Sequence, residues 1–331
     1  MKIINKNTTS EKEFRLFYSA VKDSLYLYPF YQYKHYPSLE SDGWIELLLN
    51  DIEMSFKNEN CYFFYSELSL KPCFICYNIN PWDRECFAVK MAKTVLTYST
   101  PNESPKILTC LVDAVNKALK LMGVEFITAR INGDNIAFIN AHLANKFEYM
   151  ETIVWPVLDV KNIIAVPSEV EVSELLTDIK ELKTVQEIAR NHQYQRSHFH
   201  CDKRFENTRV NEMCARWVET SFYSNDLIYV FRAKDIIIGF FICGIDNRLN
   251  KYLGTKYGRL KFLALDSKER GKGYGTKLFQ STLRHLANDG CTYIDSGYAT
   301  KNHMSAYLHA SNNFYSKYEE ITLHCNICEP R

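Results

Sequence analysis

The chain has 331 residues, a formal net charge of +1, 46% hydrophobic residues and 24% charged ones. This length accommodates two domains of ordinary size, the composition is that of a soluble globular protein, and a charge so close to zero supplies no overall field for nucleic acid or an anionic membrane. Met1-Lys2-Ile3-Ile4-Asn5-Lys6-Asn7 lacks an apolar h-region, no apolar run approaches the roughly 20 residues of a membrane span, and eleven cysteines without framework spacing predict reduced thiols in the cytoplasm.

Along the chain, Cys61 to Tyr77 is a strand-like apolar run that contains Cys73-Phe74-Ile75-Cys76, and a second such pair is Cys325-Asn326-Ile327-Cys328. The two pairs are far apart and neither has a flanking turn glycine, so free thiols, and no metal, are expected. Thr152 to Val160 reads as a strand that closes a first half. Pro167 and the acidic stretch Ser168 to Glu174 mark a seam, which predicts domains over 1–165 and 166–331. Glu181 to His192 has Leu182, Val185, Ile188 and Ala189 at helical spacing, and Asn211 to Phe222 is a second helix. Leu227–Phe231 and Ile236–Ile245 are neighbouring strands joined by a polar turn at Arg232-Ala233-Lys234-Asp235. Then follow a strand (Arg259–Leu265), a glycine-rich turn, a helix from Tyr274 to about Asn288 and a strand (Thr292–Ser296). A helix (Asn302–Asn312) and a last strand (Glu319–Cys325) complete a mixed α/β pattern.

The two halves carry a faint repeat. When Phe126-Ile127 is laid on Tyr293-Ile294, Asn135 falls on Asn302, His142 on His309, Asn145 on Asn312 and Phe147 on Phe314. The shared order of strand, loop, helix and Asn-x-Phe ending predicts two related domains.

The sharpest local signal is Leu263-Ala264-Leu265, Asp266-Ser267-Lys268-Glu269, then Arg270-Gly271-Lys272-Gly273-Tyr274-Gly275-Thr276. A strand enters a loop with three glycines in five positions, and the loop opens a helix. Backbone N–H groups converge there without Cβ obstruction, and the helix end adds a partial positive charge. Arg270 and Lys272 add to it, and the result suits a pyrophosphate. A Rossmann fingerprint is excluded because the third glycine comes one residue early, and a P-loop because Gly273 follows Gly271-Lys272.

Arg270, Gly273 and Gly275 instead form Arg-x-x-Gly-x-Gly, which resembles the coenzyme A loop of the GCN5-related N-acetyltransferases (GNAT superfamily). The likeness continues through Asn302, Leu308 and Phe314, and departs from the family at His309, where a tyrosine is usual, and at Asn313, where a glycine is. The resemblance implies tandem GNAT-like domains, a degenerate first one and a second with the coenzyme loop. It also implies acetyl-CoA as co-substrate, bound by Leu263, Ala264, Leu265, Arg270, Gly271, Lys272, Gly273, Tyr274, Gly275, Thr276 and Asn302. In the family that tyrosine protonates the departing thiolate, so His309 is the candidate general acid, with Tyr307 a weaker one and a packed helix residue the alternative. The general base stays open among Asp246, Glu206 and a histidine acting through water.

A narrower resemblance joins Ser197–Phe205, Arg216–Ser221, Pro81–Phe87, Ala129–Asn132, Asn145–Phe147 and Thr322–His324 to the TDP-fucosamine acetyltransferase group. It implies N-acetylation of a nucleotide-linked amino sugar, with a homodimer among the expected assemblies. The alternatives are a peptide, polyamine or antibiotic amine, a non-catalytic acyl-CoA binder, and aminoacyl transfer from tRNA, which the near-neutral charge disfavours.

Overall fold

The computed structural model describes residues 1–37, 43–163, 173–192, 194–224 and 226–328. The expected seam at 165–166 and the acidic residues 168–172 lie outside them. The chain forms two compact units: Met1–His35, Leu39–Thr152 and Tyr318–Arg331 make the first, Tyr36–Ser38 and Ile153–Lys317 the second.

The first unit contains β1 (Lys2–Ile4), α1 (Glu11–Lys22), α2 (Gly43–Lys57), β2 (Cys61–Tyr65), β3 (Phe74–Asn78), α3 (Pro81–Phe87), β4 (Met91–Tyr98), α4 (Pro105–Leu121), β5 (Phe126–Asn132) and α5 (Ile136–Ala144). A capping box between Ser10 and Glu13 starts α1. The apolar run at Cys61–Tyr77 is broken by the mostly exposed stretch Glu67 to Lys71 and folds back as the hairpin β2–β3, with Phe63 opposite Cys76. Strand β6 (Glu148–Asp159) begins in this unit and ends in the second.

The second unit continues with β7 (Ser173–Leu175), α6 (Ile179–Arg190), α7 (His198–Cys201), α8 (Asn207–Phe222), β8 (Leu227–Ala233), β9 (Ile236–Ile245) and α9 (Asn247–Leu253). It ends with β10 (Tyr257–Leu265), α10 (Tyr274–Asn288), β11 (Tyr293–Asp295), β12 (Tyr298–Ala299) and α11 (His303–Ala310). The turn between β8 and β9 narrows to Lys234 and Asp235, at φ 50° and 65°. Two left-handed residues match the twist of the flanking strands. The last strand, β13 (Tyr315–Asn326), starts in this unit and closes the sheet of the first.

Both units use one topology. In the first, β1, β2, β3 and β4 pair antiparallel in order, β4 pairs β5 in parallel, and β13 runs antiparallel on β5. In the second, β7 to β10 pair antiparallel, β10 pairs β11 in parallel, and β6 runs antiparallel on β11. The units therefore exchange their closing strands. β6 follows α5 yet completes the second sheet, and β13 follows α11 yet completes the first.

The aligned repeat is also repeated in hydrogen bonds. Asn135 and Asn302 each cap their helix by accepting the N–H three residues on, at 3.3 and 3.2 Å. Asn145 and Asn312 each donate from Nδ2 to the carbonyl four residues back, at 2.8 Å. Lys146 and Asn313 follow in the left-handed region at φ 66° and 61°, the conformation that ends a helix. Leu111, Val112, Val115 and Leu119 of α4 lie in the core of the first unit, and Leu278, Phe279, Leu283 and Leu286 of α10 in that of the second. On the other side of the second sheet, Leu182, Val185 and Ile188 of α6 and Val218 of α8 pack with Phe240, Ile242 and Ala264.

Candidate functional site

The second unit has a split in its sheet. Strands β10 and β11 pair from Tyr257–Tyr293 to Arg259–Asp295, after which β10 runs on to Leu265, bonded to β9 alone. A bulge between Leu260 and Phe262 bends it at this point. Leu263, Ala264 and Leu265 lie beyond the split and face Phe241, Phe240 and Gly239 of β9. Their other edge offers backbone donors and acceptors to a ligand with amide groups.

The vertex of the split is held by charge. Arg259 grips the buried carboxylate of Asp295 through Nε–Oδ1 at 2.9 Å and Nη2–Oδ2 at 2.6 Å. Tyr36 donates to the same Oδ2 at 2.7 Å, and Asp246 stands 3.4 Å from the guanidinium. A fork-to-carboxylate pair of this kind fixes geometry as well as energy. Opposite charges on two separate strands were the only sequence signal for it.

At the far end of β10, Asp266 caps the turn Ser267–Glu269 by accepting the Lys268 N–H at 2.8 Å. Gly271 and Gly273 then take left-handed φ of 78° and 80°, and Gly273 is the N-cap of α10. A Cβ at either position would meet nothing within 4 Å, and one at Gly275 would meet only Leu265 at 3.6 Å. Among the described residues, no protein group accepts the N–H of Gly273, Tyr274, Gly275 or Thr276. These donors stand at the positive end of a fifteen-residue helix, the arrangement that holds a phosphate. The residues present thus suit the diphosphate of a coenzyme.

The charged neighbours do more than attract. Arg270 donates through Nη2 to the carbonyl of Asn191, the C-cap of α6, and so ties the loop to that helix. Lys272 is exposed and pairs with Glu269 at 3.0 Å. Tyr274 packs against Phe231, while the Asn302 side chain serves as the N-cap of α11.

His309 is 4% exposed. Its Nδ1 donates to the carbonyl of Ser305 at 2.7 Å, and its ring lies among Tyr298, Phe279 and Phe314 at 4.9, 5.1 and 4.9 Å. Burial pushes its pKa down to about 4, because a charged imidazole loses its hydration there. At neutral pH the single ring proton sits on Nδ1, and Nε2 presents a lone pair. Tyr307 is 62% exposed, on another side of the helix.

The corresponding place in the first unit is closed. β4 and β5 pair as far as Lys93–Thr128. The next side chain, Thr94, then stitches the strands together: Oγ1 donates to the Thr128 carbonyl at 3.1 Å and accepts the Arg130 N–H at 2.8 Å. The head of α4 carries its own anion, because Glu103 accepts the Ser104 N–H at 3.0 Å and a bond from Ser69. Pro105 removes one more donor.

Beside β10, Trp217 of α8 stacks on Phe262 at 5.4 Å and 9°, and His192 meets the same ring edge-on at 5.6 Å. Asp202 and Arg204 form a two-point ion pair at 2.6 and 2.7 Å, and His200 is fixed between Ser197 and Asn211. Phe262 went unnoticed in the sequence because an aromatic in a strand reads as core, and His192 was read only as the end of a helix, which stops at Arg190. All eleven cysteines are free, with Cys73 and Cys76 buried in the first sheet. No group of three or more metal-ligating side chains occurs among the described residues, and no helix there is long and apolar enough to cross a membrane.

Residues 194–315 match the model of the Acetyltransferase (GNAT) family. Among solved structures, the chain resembles a tandem GNAT protein from the clavulanic acid biosynthesis pathway, at 11% identity and TM-score 0.57, over 100% of this chain and 99% of that one. It also resembles a GCN5-related N-acetyltransferase from Sphaerobacter thermophilus (11%, TM-score 0.59, 87% of each chain). A third likeness is to the glucosamine N-acetyltransferase region of a fungal multi-domain β-N-acetylglucosaminidase (12%, TM-score 0.58, 92% of this chain and 37% of that one). No curated protein matches the sequence. The fold is that of tandem GNAT proteins, and the matched span is an acyltransferase domain of GNAT type.

Proposed function

We propose that the second unit transfers an acetyl group from acetyl-CoA to a primary amine of a small acceptor, and that the first unit is a degenerate copy without a coenzyme cradle. The observation that carries this reading is the row of open N–H groups from Gly273 to Thr276, at the head of α10 and next to the free edge of β10. In this reading Gly271 to Thr276 and Lys272 hold the diphosphate, Leu263 to Leu265 bond the amide-bearing arm, and the Arg259–Asp295 pair keeps the split open at a fixed angle. Holding the neutral amine against the thioester carbonyl supplies much of the rate.

A nucleotide-linked amino sugar is the acceptor we favour. The stacked Trp217–Phe262 pair supports it, since a sugar face or a base packs well on an aromatic ring, and so does the glucosamine acetyltransferase among the similar folds. The eleven free thiols agree with a cytoplasmic setting. A second reading, a non-catalytic acyl-CoA binder, is favoured by His309 alone, whose Nε2 has no proton to give at neutral pH.

Calorimetric titration with acetyl-CoA, followed by thiol release with a panel of amines led by TDP-amino sugars, tests both. Binding with turnover of an amino sugar supports the first reading, and turnover of peptides or polyamines alone would replace the acceptor. Tight binding without transfer to any amine would establish the second.

A further inference from the structure

The twin histidines differ in one respect. In the first unit, His142 donates from Nδ1 to the Phe138 carbonyl at 2.8 Å, as His309 does to Ser305. Its Nε2 is served by a long bond from the hydroxyl of Tyr77 at 3.4 Å. Tyr77 lies on β3 opposite Thr94, and reaches past β4 to the helix that follows β5.

Sheet register gives the counterpart in the second unit. Asn78 faces Lys93, and Gly244 faces Arg259; one residue on, Tyr77 corresponds to Cys243, which faces Leu260. Val112 of α4 corresponds to Phe279 of α10, whose ring now stands edge-on to His309. A tyrosine and a valine have become a cysteine and a phenylalanine. The volume is roughly kept, but the hydroxyl is gone. His309 Nε2 is buried with no partner among the described residues, and an unmet buried acceptor is costly unless something else donates to it.

Its location says what that is. Leu260 is the first residue of β10 past its last pair with β11, so Cys243 marks the vertex of the split. At the same vertex the first unit is roofed by Tyr77 and stitched by Thr94. The second unit has lost both closures and kept the histidine.

We propose that His309 Nε2 is the hydrogen-bond acceptor for an N–H or S–H donor on the thioester-bearing arm of the coenzyme, a role that rests on the acetyl-CoA reading above. The ring holds the arm at the vertex as an acceptor and does not supply a proton to the leaving thiolate.

The test uses the full-length protein labelled with nitrogen-15 in its histidines, titrated separately with acetyl-CoA and with free CoA, each followed by calorimetry and by the imidazole nitrogen resonances. The His309 Nε2 resonance should move on saturation while that of His142 stays in place. Movement with both ligands assigns an amide N–H, and movement with free CoA alone assigns the thiol. Calorimetric binding with no movement overturns this inference alone; absence of binding overturns the coenzyme reading and this inference with it. The double variant Cys243→Tyr, Phe279→Val copies the first unit, and should raise the melting temperature while weakening acetyl-CoA about tenfold, the worth of one hydrogen bond. A folded double variant with wild-type affinity also overturns the proposal.

Discussion

The carboxylate of Glu103 accepts the N–H of Ser104 at 3.0 Å at the head of α4, where its counterpart α10 presents open N–H groups. The first unit thus answers its helix end with an anion of its own chain. One acetyl-CoA per chain is therefore expected. Calorimetry returning two sites would mean that Glu103 and Thr94 do not block the first unit.

Gly273 stands at φ 80° with open space around its Cβ position. Replacement by alanine should cost about 1–2 kcal/mol through backbone strain alone. Replacement by tryptophan adds bulk only where a ligand would lie. Acetyl-CoA affinity should fall more than about a hundredfold in Gly273→Trp but far less in Gly273→Ala, with similar melting temperatures for the two. Equal affinities would remove the cradle from the site.

Stability should depend on pH through the twin histidines. Burial holds both His142 and His309 at a pKa of about 4, below the unfolded value of about 6.5. As pH falls through that interval the unfolded chain takes up protons first. Stability is thus intact above about pH 6.5 and declines toward pH 4, by up to about 1.4 kcal/mol per unit for each ring. Burial also lowers His192 and His200, which add to the slope. Urea unfolding between pH 6.5 and 5 should show it, and His142→Phe should remove only that ring's share.

Trp217 is half-buried and stacked on Phe262. If it forms the acceptor platform, Trp217→Ala should raise the acceptor KM about tenfold, the worth of one stacking contact. Acetyl-CoA affinity should be unchanged. A fall in coenzyme affinity with a constant acceptor KM would make Trp217 a packing residue.

The exchanged strands bear on dissection of the chain. A fragment of residues 166–331 lacks Ile153–Asp159 of β6, which completes the second sheet, and keeps β13 without its partner β5. It should be insoluble or molten, with weak near-ultraviolet circular dichroism, whereas 153–317 should fold and bind acetyl-CoA. The opposite ranking would place the closing strands elsewhere.

What could be read from residues alone was local. The helix with its Asn cap and Asn-x-Phe ending is encoded within a dozen neighbouring positions, and both copies fold alike down to their carbonyl bonds. The partner of β6 was not legible, because Thr152–Val160 and Glu319–Cys325 are ordinary amphipathic strands whose register is set by distant sequence. His309 shows the same limit. Its chemistry turns on Cys243, a residue of another strand whose significance lies in a hydroxyl it lacks. Arg270 was read as a phosphate-attracting charge, whereas the structure also makes it a tether to Asn191.

The strand exchange also sets a timetable. On a ribosome adding about 5–20 residues per second, β5 emerges long before β13, its neighbour in the finished sheet. For that interval the first unit carries an unpaired, apolar strand edge, the kind that recruits foreign strands. Emergence of β13 thus becomes a late step in folding the N-terminal half, and termination before it leaves the first sheet without its closing strand.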